Sequence, residues 1–204
     1  MGALLKFSQA VDRLNAFVGR WIIWLILAST VISALNAIVR KAFNTSSNAY
    51  LEVQWYLFAA AFLLAAGYTL LNGEHVKIDV ISHRLSKRKQ IWIDVIGFAL
   101  FLTPVCLAIL YYGIPFFLQG FRSGEMSSNA GGLIRWPVYI MIPIGFSLLL
   151  LQGLSELIKR IAFLRGLIPD PTVKANEKTP EEELAEELRR KAEEAERAAA
   201  ARKA

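Results

Sequence analysis

The chain has 204 residues, of which 55% are hydrophobic, and a formal net charge of +6. Its mean hydropathy is +0.40. A soluble domain is nearer 45–50% apolar, so the excess apolar residues need a place outside a water-soluble core. One cysteine, Cys106, excludes an intrachain disulfide framework.

Residues 1–20 open with Leu4, Phe7, Val11, Leu14 and Val18 at spacings of three and four, while Lys6, Gln9 and Arg13 fall on other faces. This pattern predicts an amphipathic helix lying in the membrane interface ahead of the first span. Four apolar runs follow, at about 21–39, 50–71, 91–113 and 137–158. The first holds no formal charge, and the other three are broken by Glu52, Asp94 and Glu156. Runs of about 20 residues, rising about 1.5 Å each, match a hydrocarbon core of ~30 Å. A secretory leader is too short to account for the first run, because its apolar stretch is about 7–15 residues. The expected fold is therefore an all-α membrane protein with four transmembrane helices across residues 21–171.

Orientation follows from lysines and arginines near the span ends. With the N-terminus inside, Lys6, Arg13, Arg20, Lys77, Arg84, Lys87, Arg88, Lys89, Lys159, Arg160 and Arg165 are cytoplasmic. Only Arg40, Lys41, Arg122 and Arg135 lie outside. Both termini are expected in the cytoplasm. Trp21 and Trp92 at inner ends, and Trp55 and Trp136 at outer ends, fit the aromatic belts of true spans.

At the outer end of span one stand Arg40 and Lys41, and just inside span two stands Glu52. A lone carboxylate in a span must find a cation or take up a proton. The expected arrangement is a structural ion pair of Glu52 with Arg40 or Lys41, with a proton-relay role as the rival. Further along span two, Ala61 and Ala65 are four apart and allow close helix approach. They serve packing within the four-helix unit or contact with another subunit.

"NGEHVKIDVISHRLSKRK", residues 72–89, holds both histidines and five of the cations between spans two and three. His75 and His83 are eight residues apart with no cysteine nearby, a poor zinc pattern. Lys77, Arg84, Lys87, Arg88 and Lys89 instead suit the anionic inner leaflet, at about 1 kcal/mol each near the surface. The segment is read as a basic cytoplasmic interfacial arm that meets membrane lipid, not a metal or nucleic-acid site. Asp94 and Glu156 are expected to form interfacial pairs with Lys87, Arg88, Lys89, Lys159 or Arg160. The outer loop "FFLQGFRSGEMSSNAGGLIRWP", residues 116–137, has enough glycine and serine to stay irregular. It is either a contact for something in the outer compartment or a connector.

Residues 172–204 change character, with eight Lys/Arg and nine Glu. Thr179, Pro180 and Glu182 form a capping-box start, and Glu186–Arg190, Glu187–Lys191 and Glu193–Arg197 are favourable i,i+4 pairs. A charged cytoplasmic helical tail is expected, either a docking element or an inert extension.

No P-loop, HExxH or nucleophile elbow is present, and neither histidine lies in a span where a bundle haem would need it. No catalytic residue, cofactor or metal site is expected, and no relay of carboxylates crosses the bilayer centre.

Four segments carry a resemblance. "NAIVRKAFN" ends span one, with Lys41 where the family often has an aromatic. "YLEVQWYLF" enters span two with Glu52. "GEHVKIDVISHRL" places His75, Val76 and Asp79 as a His-Val followed by an acid. "GLIRWPVYIMIPIGF" enters span four. In order and spacing over residues of about 36 to 160, the chain resembles the small integral-membrane (Q-type) subunit of tripartite ATP-independent periplasmic (TRAP) transporters. The resemblance implies a multi-pass protein of the bacterial inner membrane. It also implies a non-catalytic scaffold for a large, separate, sodium-coupled membrane subunit that imports organic acids in an elevator-like motion. A periplasmic substrate-binding protein would be the second partner, through the outer loop at 114–135. The rival reading is a self-sufficient homo-oligomeric channel or small exporter.

Overall fold

The computed structural model describes residues 2–44, 47–74 and 85–171. His75, Lys77, Asp79 and Arg84 of the expected arm, and the whole 172–204 tail, lie outside the described residues. The helices below all lie in one compact unit, residues 1–169.

In chain order these are α1 (Gly2–Phe43), α2 (Asn48–Leu71), α3 (Lys87–Gly97), a π-helical turn (Phe98–Leu102), α4 (Thr103–Ser123), α5 (Trp136–Tyr139) and α6 (Met141–Leu164). Among the described residues, four stretches are long and apolar enough to cross a membrane: Gly2–Phe43, Asn48–Leu71, Lys87–Ser123 and Trp136–Leu164. The all-α, four-span expectation holds.

Helix α2 stops where Gly73 takes φ +66°. The Gly73 N–H then reaches the Leu70 carbonyl at 3.2 Å, and the Glu74 N–H reaches Thr69 at 3.1 Å. This closure satisfies two terminal carbonyls and needs a left-handed residue that glycine adopts without a Cβ penalty. Gly124, at φ +62°, ends α4 in the same way and turns the chain into the outer loop.

The first span departs from expectation. No break separates residues 1–20 from the span, because nothing near Gly19 and Arg20 stops a helix; α1 runs for 42 residues. At about 1.5 Å per residue it is roughly 63 Å long, about twice the hydrocarbon thickness. Its inward stripe also differs from the apolar one. Leu4, Phe7 and Leu14 are exposed, while Ser8, Val11, Asn15 and Ile22 are buried. Hydrogen bonds to α6 turn Ser8 and Asn15 inward, which leaves Leu4, Phe7 and Leu14 on the outer face.

Helices α1, α2 and α6 pack against one another, and α4 packs chiefly on α6. Glycines set the closest approaches. A Cβ on Gly145 would lie 2.6 Å from the Leu63 carbonyl oxygen of α2, and one on Gly19 would meet the Tyr68 ring at 2.3 Å. Of the two alanines expected at a packing face, Ala61 is buried within the chain and Ala65 is half-buried.

Candidate functional site

Among the described residues, polar side chains gather in two places, one at each end of the α1–α2–α6 unit. The first joins the N-terminal half of α1 to the C-terminal half of α6. Ser8, Asp12 and Asn15 recur at spacings of three and four, as do Gln152, Ser155, Glu156 and Lys159, so each set forms one helical stripe. The hydroxyls of Ser8 and Ser155 are 2.7 Å apart, and Ser155 Oγ donates to Asp12 Oδ1 at 2.9 Å. Lys159 Nζ pairs with Asp12 Oδ2 at 3.1 Å and also with Glu156. Arg160 donates from Nε to Asp94 Oδ2 at 3.0 Å and from Nη1 to Glu156, and its guanidinium carbon lies 4.7 Å from the centre of the Phe98 ring. Asp94 and Glu156 thus meet cations, as expected at span ends. Glu156 and Arg160 are almost fully buried. Removing one member of such a pair leaves an uncompensated charge, at a cost of about 3–5 kcal/mol.

Within this network each amide orientation is dictated by its neighbour. Gln152 Nε2 donates to Asp12 Oδ1 at 2.9 Å and to Glu156 Oε1 at 3.2 Å, since carboxylates only accept. Its Oε1 is therefore left to accept from Asn15 Nδ2 at 2.9 Å. Asn15 Oδ1 is then turned away from every donor, and among the described residues it is the buried side-chain polar atom without a partner. It rests on Gly67 of α2, where a Cβ would come within 2.3 Å of it. A Cα–H contact there offers weak compensation.

The second cluster is at the start of α2. Asn48, Glu52 and Tyr56 are spaced by four, one helical stripe, and each bonds the outer loop. Asn48 Nδ2 donates to the Ala130 carbonyl at 2.9 Å, and Tyr56 Oη donates to the Ile134 carbonyl at 3.2 Å. Glu52, only 3% exposed, accepts from Asn129 Nδ2 at 2.9 Å, from the Leu133 N–H at 2.6 Å and from the Ser127 hydroxyl.

The loop that supplies these donors is a small hairpin. Met126 and Ile134 form an antiparallel bridge, and the Ser127 N–H reaches the Leu133 carbonyl at 2.9 Å. Arg135 Nη1 holds Glu125 Oε1 at 2.9 Å, and Tyr139 Oη donates to the same oxygen at 3.0 Å.

The expected pairing of Glu52 with Arg40 and Lys41 is corrected here. Both cations are exposed, and neither is among the partners the structure gives Glu52. Neutral N–H and O–H donors satisfy the carboxylate without the desolvation of a second ion. Sequence reasoning missed the hairpin ligands and the Asp12–Gln152–Lys159 network. The four-residue spacing of Asn48, Glu52 and Tyr56 was the signal for the first, and polar residues in helical register in an apolar chain were the signal for the second.

Lys87, Arg88 and Lys89 form the exposed first turn of α3. Cys106 is buried in α4.

Residues 29–163 match the family described as the DctQ component of tripartite ATP-independent periplasmic transporters. No curated protein matches the chain. The matched segment includes the last third of α1, all of α2, α3, α4 and α5, and all but the last residue of α6, with the Glu52 hairpin and the Asp94–Arg160 pair inside it. It also contains the segments that carry the resemblance in sequence, so the agreement extends to their order and spacing. The chain belongs to the DctQ family, the small membrane component of tripartite ATP-independent periplasmic transporters.

Proposed function

We propose that this chain is a non-catalytic scaffold that anchors the large, sodium-coupled membrane subunit of a TRAP transporter for organic acids. The family works in the inner membrane with a large DctM subunit and a periplasmic binding protein. The observation that carries the scaffold reading is the fastening of one helical unit at both ends. Ion pairs and hydrogen bonds between side-chain amides tie α1 to α6 at one end, and a hydrogen-bonded carboxylate ties the hairpin to α2 at the other. Such fastenings suit a part that stays still while a partner moves, since packed networks of hydrogen-bonded and ion-paired side chains rigidify what they join.

Both termini are proposed to be cytoplasmic, on the lysine and arginine bias, which puts the hairpin in the periplasm. There Met126, Ser128 and Asn129 are exposed on a loop whose backbone is held by Glu52, a fixed surface for the binding protein to touch. Arg40 and Lys41, exposed at the same end, remain available to a partner subunit. The 75–84 arm with His75, Lys77, Asp79 and Arg84 is proposed to brace the complex at the inner leaflet.

Extraction of the tagged chain in mild detergent should recover one large polytopic protein in about equal amount, and removal of the chain should abolish uptake. Glu52→Lys places a cation against the Ser127, Asn129 and Leu133 donors and should lower uptake while the chain remains in the membrane. Recovery of the chain with itself alone, together with ion flux through the purified chain, would instead establish the homo-oligomeric channel.

A further inference from the structure

We infer that the groove between the α3–α4 span and the α2–α6 pair is a binding site for one anionic glycerophospholipid. The groove has a volume of about 570 Å³. Leu70, Phe101, Val105, Phe146 and Leu149 line its length, and Asp94 and Arg160 stand at one end. From Asp94 to Cys106 it follows 12 residues of helix, roughly 18 Å at about 1.5 Å per residue. One leaflet of a ~30 Å hydrocarbon core is about 15 Å deep. The groove therefore matches one acyl chain of one leaflet.

Its charged end is at headgroup level. Trp92, two residues before Asp94, is 56% exposed, as expected of an interfacial ring. Arg160 is held in place there by Nε on Asp94 and Nη1 on Glu156, which fixes its positive charge at this end of the groove. Lys87 shares the helical face of Asp94, Gly97 and Phe101, and Arg88 and Lys89 complete a basic first turn above it. A phosphate whose head carries no compensating ammonium suits this arrangement better than a zwitterionic head, because the cations outnumber Asp94 and Glu156 there. The apolar bottom accepts the tail, and a guanidinium with nearby ammonium groups accepts the phosphate.

Gly97 supplies a clean test. It lines the groove with ordinary helical angles, and a Cβ there meets nothing within 4 Å. Gly97→Leu should fill the groove without disturbing the helix, which it also favours. The full chain, stripped of lipid in detergent, is titrated with phosphatidylglycerol or phosphatidylethanolamine, and bound lipid is counted by native mass spectrometry. The expected result is one phosphatidylglycerol per chain, held about tenfold more tightly than phosphatidylethanolamine, and weakened about tenfold by Gly97→Leu at unchanged melting temperature. The combined change Lys87→Gln, Arg88→Gln and Lys89→Gln should bring the two lipids level.

Equal phosphatidylglycerol retention by the wild type and Gly97→Leu would overturn the site, and equal retention of the two lipids by the wild type would overturn the anionic headgroup. A photoreactive group at Phe101 that captures a polypeptide in native membranes, not a lipid, would also overturn it.

Discussion

Asn15 and Gly67 show how one side chain's chemistry dictates another position's size. The carboxylates of Asp12 and Glu156 turn Gln152, Gln152 turns Asn15, and Asn15 Oδ1 then occupies the space where a side chain at position 67 would begin. Gly67→Ala must shift that amide or the Leu148 carbonyl, which would lie 3.2 Å from the new Cβ. Overpacking of this kind costs about 1–3 kcal/mol. The melting temperature of the variant in detergent should fall accordingly. In an Asn15→Ala background the same Gly67→Ala change should cost much less, since residues in contact couple. Equal costs in the two backgrounds would remove Asn15 as the reason for the glycine. Glu52 teaches the complementary lesson. That it needed partners was plain from its place in a span, but a sequence lists cations more visibly than backbone N–H groups. The donor at Leu133 has no residue type to announce it.

At the scale of elements, α1 and the α3–α4 span each hold a feature that periodicity leaves open. The amphipathic stripe of residues 1–20 predicts an interfacial helix ahead of the span, and periodicity alone does not say where that helix ends. Docking on α6 decides for continuity, because Ser8, Asp12 and Asn15 must face Ser155, Lys159 and Gln152 in one unbroken register. Arg20 is exposed, so Arg20→Pro tests the helix with little change in packing. Proline there removes a backbone bond and strains the preceding turn, at about 3 kcal/mol or more. A lower melting temperature is expected, along with faster thiol labelling of Ser8→Cys as the first half undocks. An unchanged profile would mean that the two halves fold independently.

In the third span, Pro104 lacks an N–H, and the turn before it widens. Phe98 O accepts the Thr103 N–H five residues on, and the Thr103 hydroxyl at 2.8 Å. The turn keeps the helix going past the proline, as π-type turns do, and it sets the Phe98 ring against Arg160.

For the whole molecule, α1, α2 and α6 form a mutual unit and α4 leans on α6 with much of its surface uncovered. Tyr111 and Tyr112 of α4 are each 73% exposed. Local stability follows the number of neighbours an element has. Amides of α4 should therefore exchange hydrogen faster than those of α2 or α6 when the chain is alone in detergent. Assembly with the large subunit should slow α4 if that face is an interface; exchange that stays fast in the assembled transporter would leave it facing lipid. The sequence by itself determined the number of spans and the family, because hydrocarbon thickness and the absence of water act on each stretch of chain locally. It also determined that Glu52, Asp94 and Glu156 would need partners. Only the tertiary structure decided which partners they took, that α1 is one helix, and that glycine, not alanine, marks the closest crossings. Those choices depend on groups brought together across as many as 147 residues, and on backbone donors that every residue but proline carries alike.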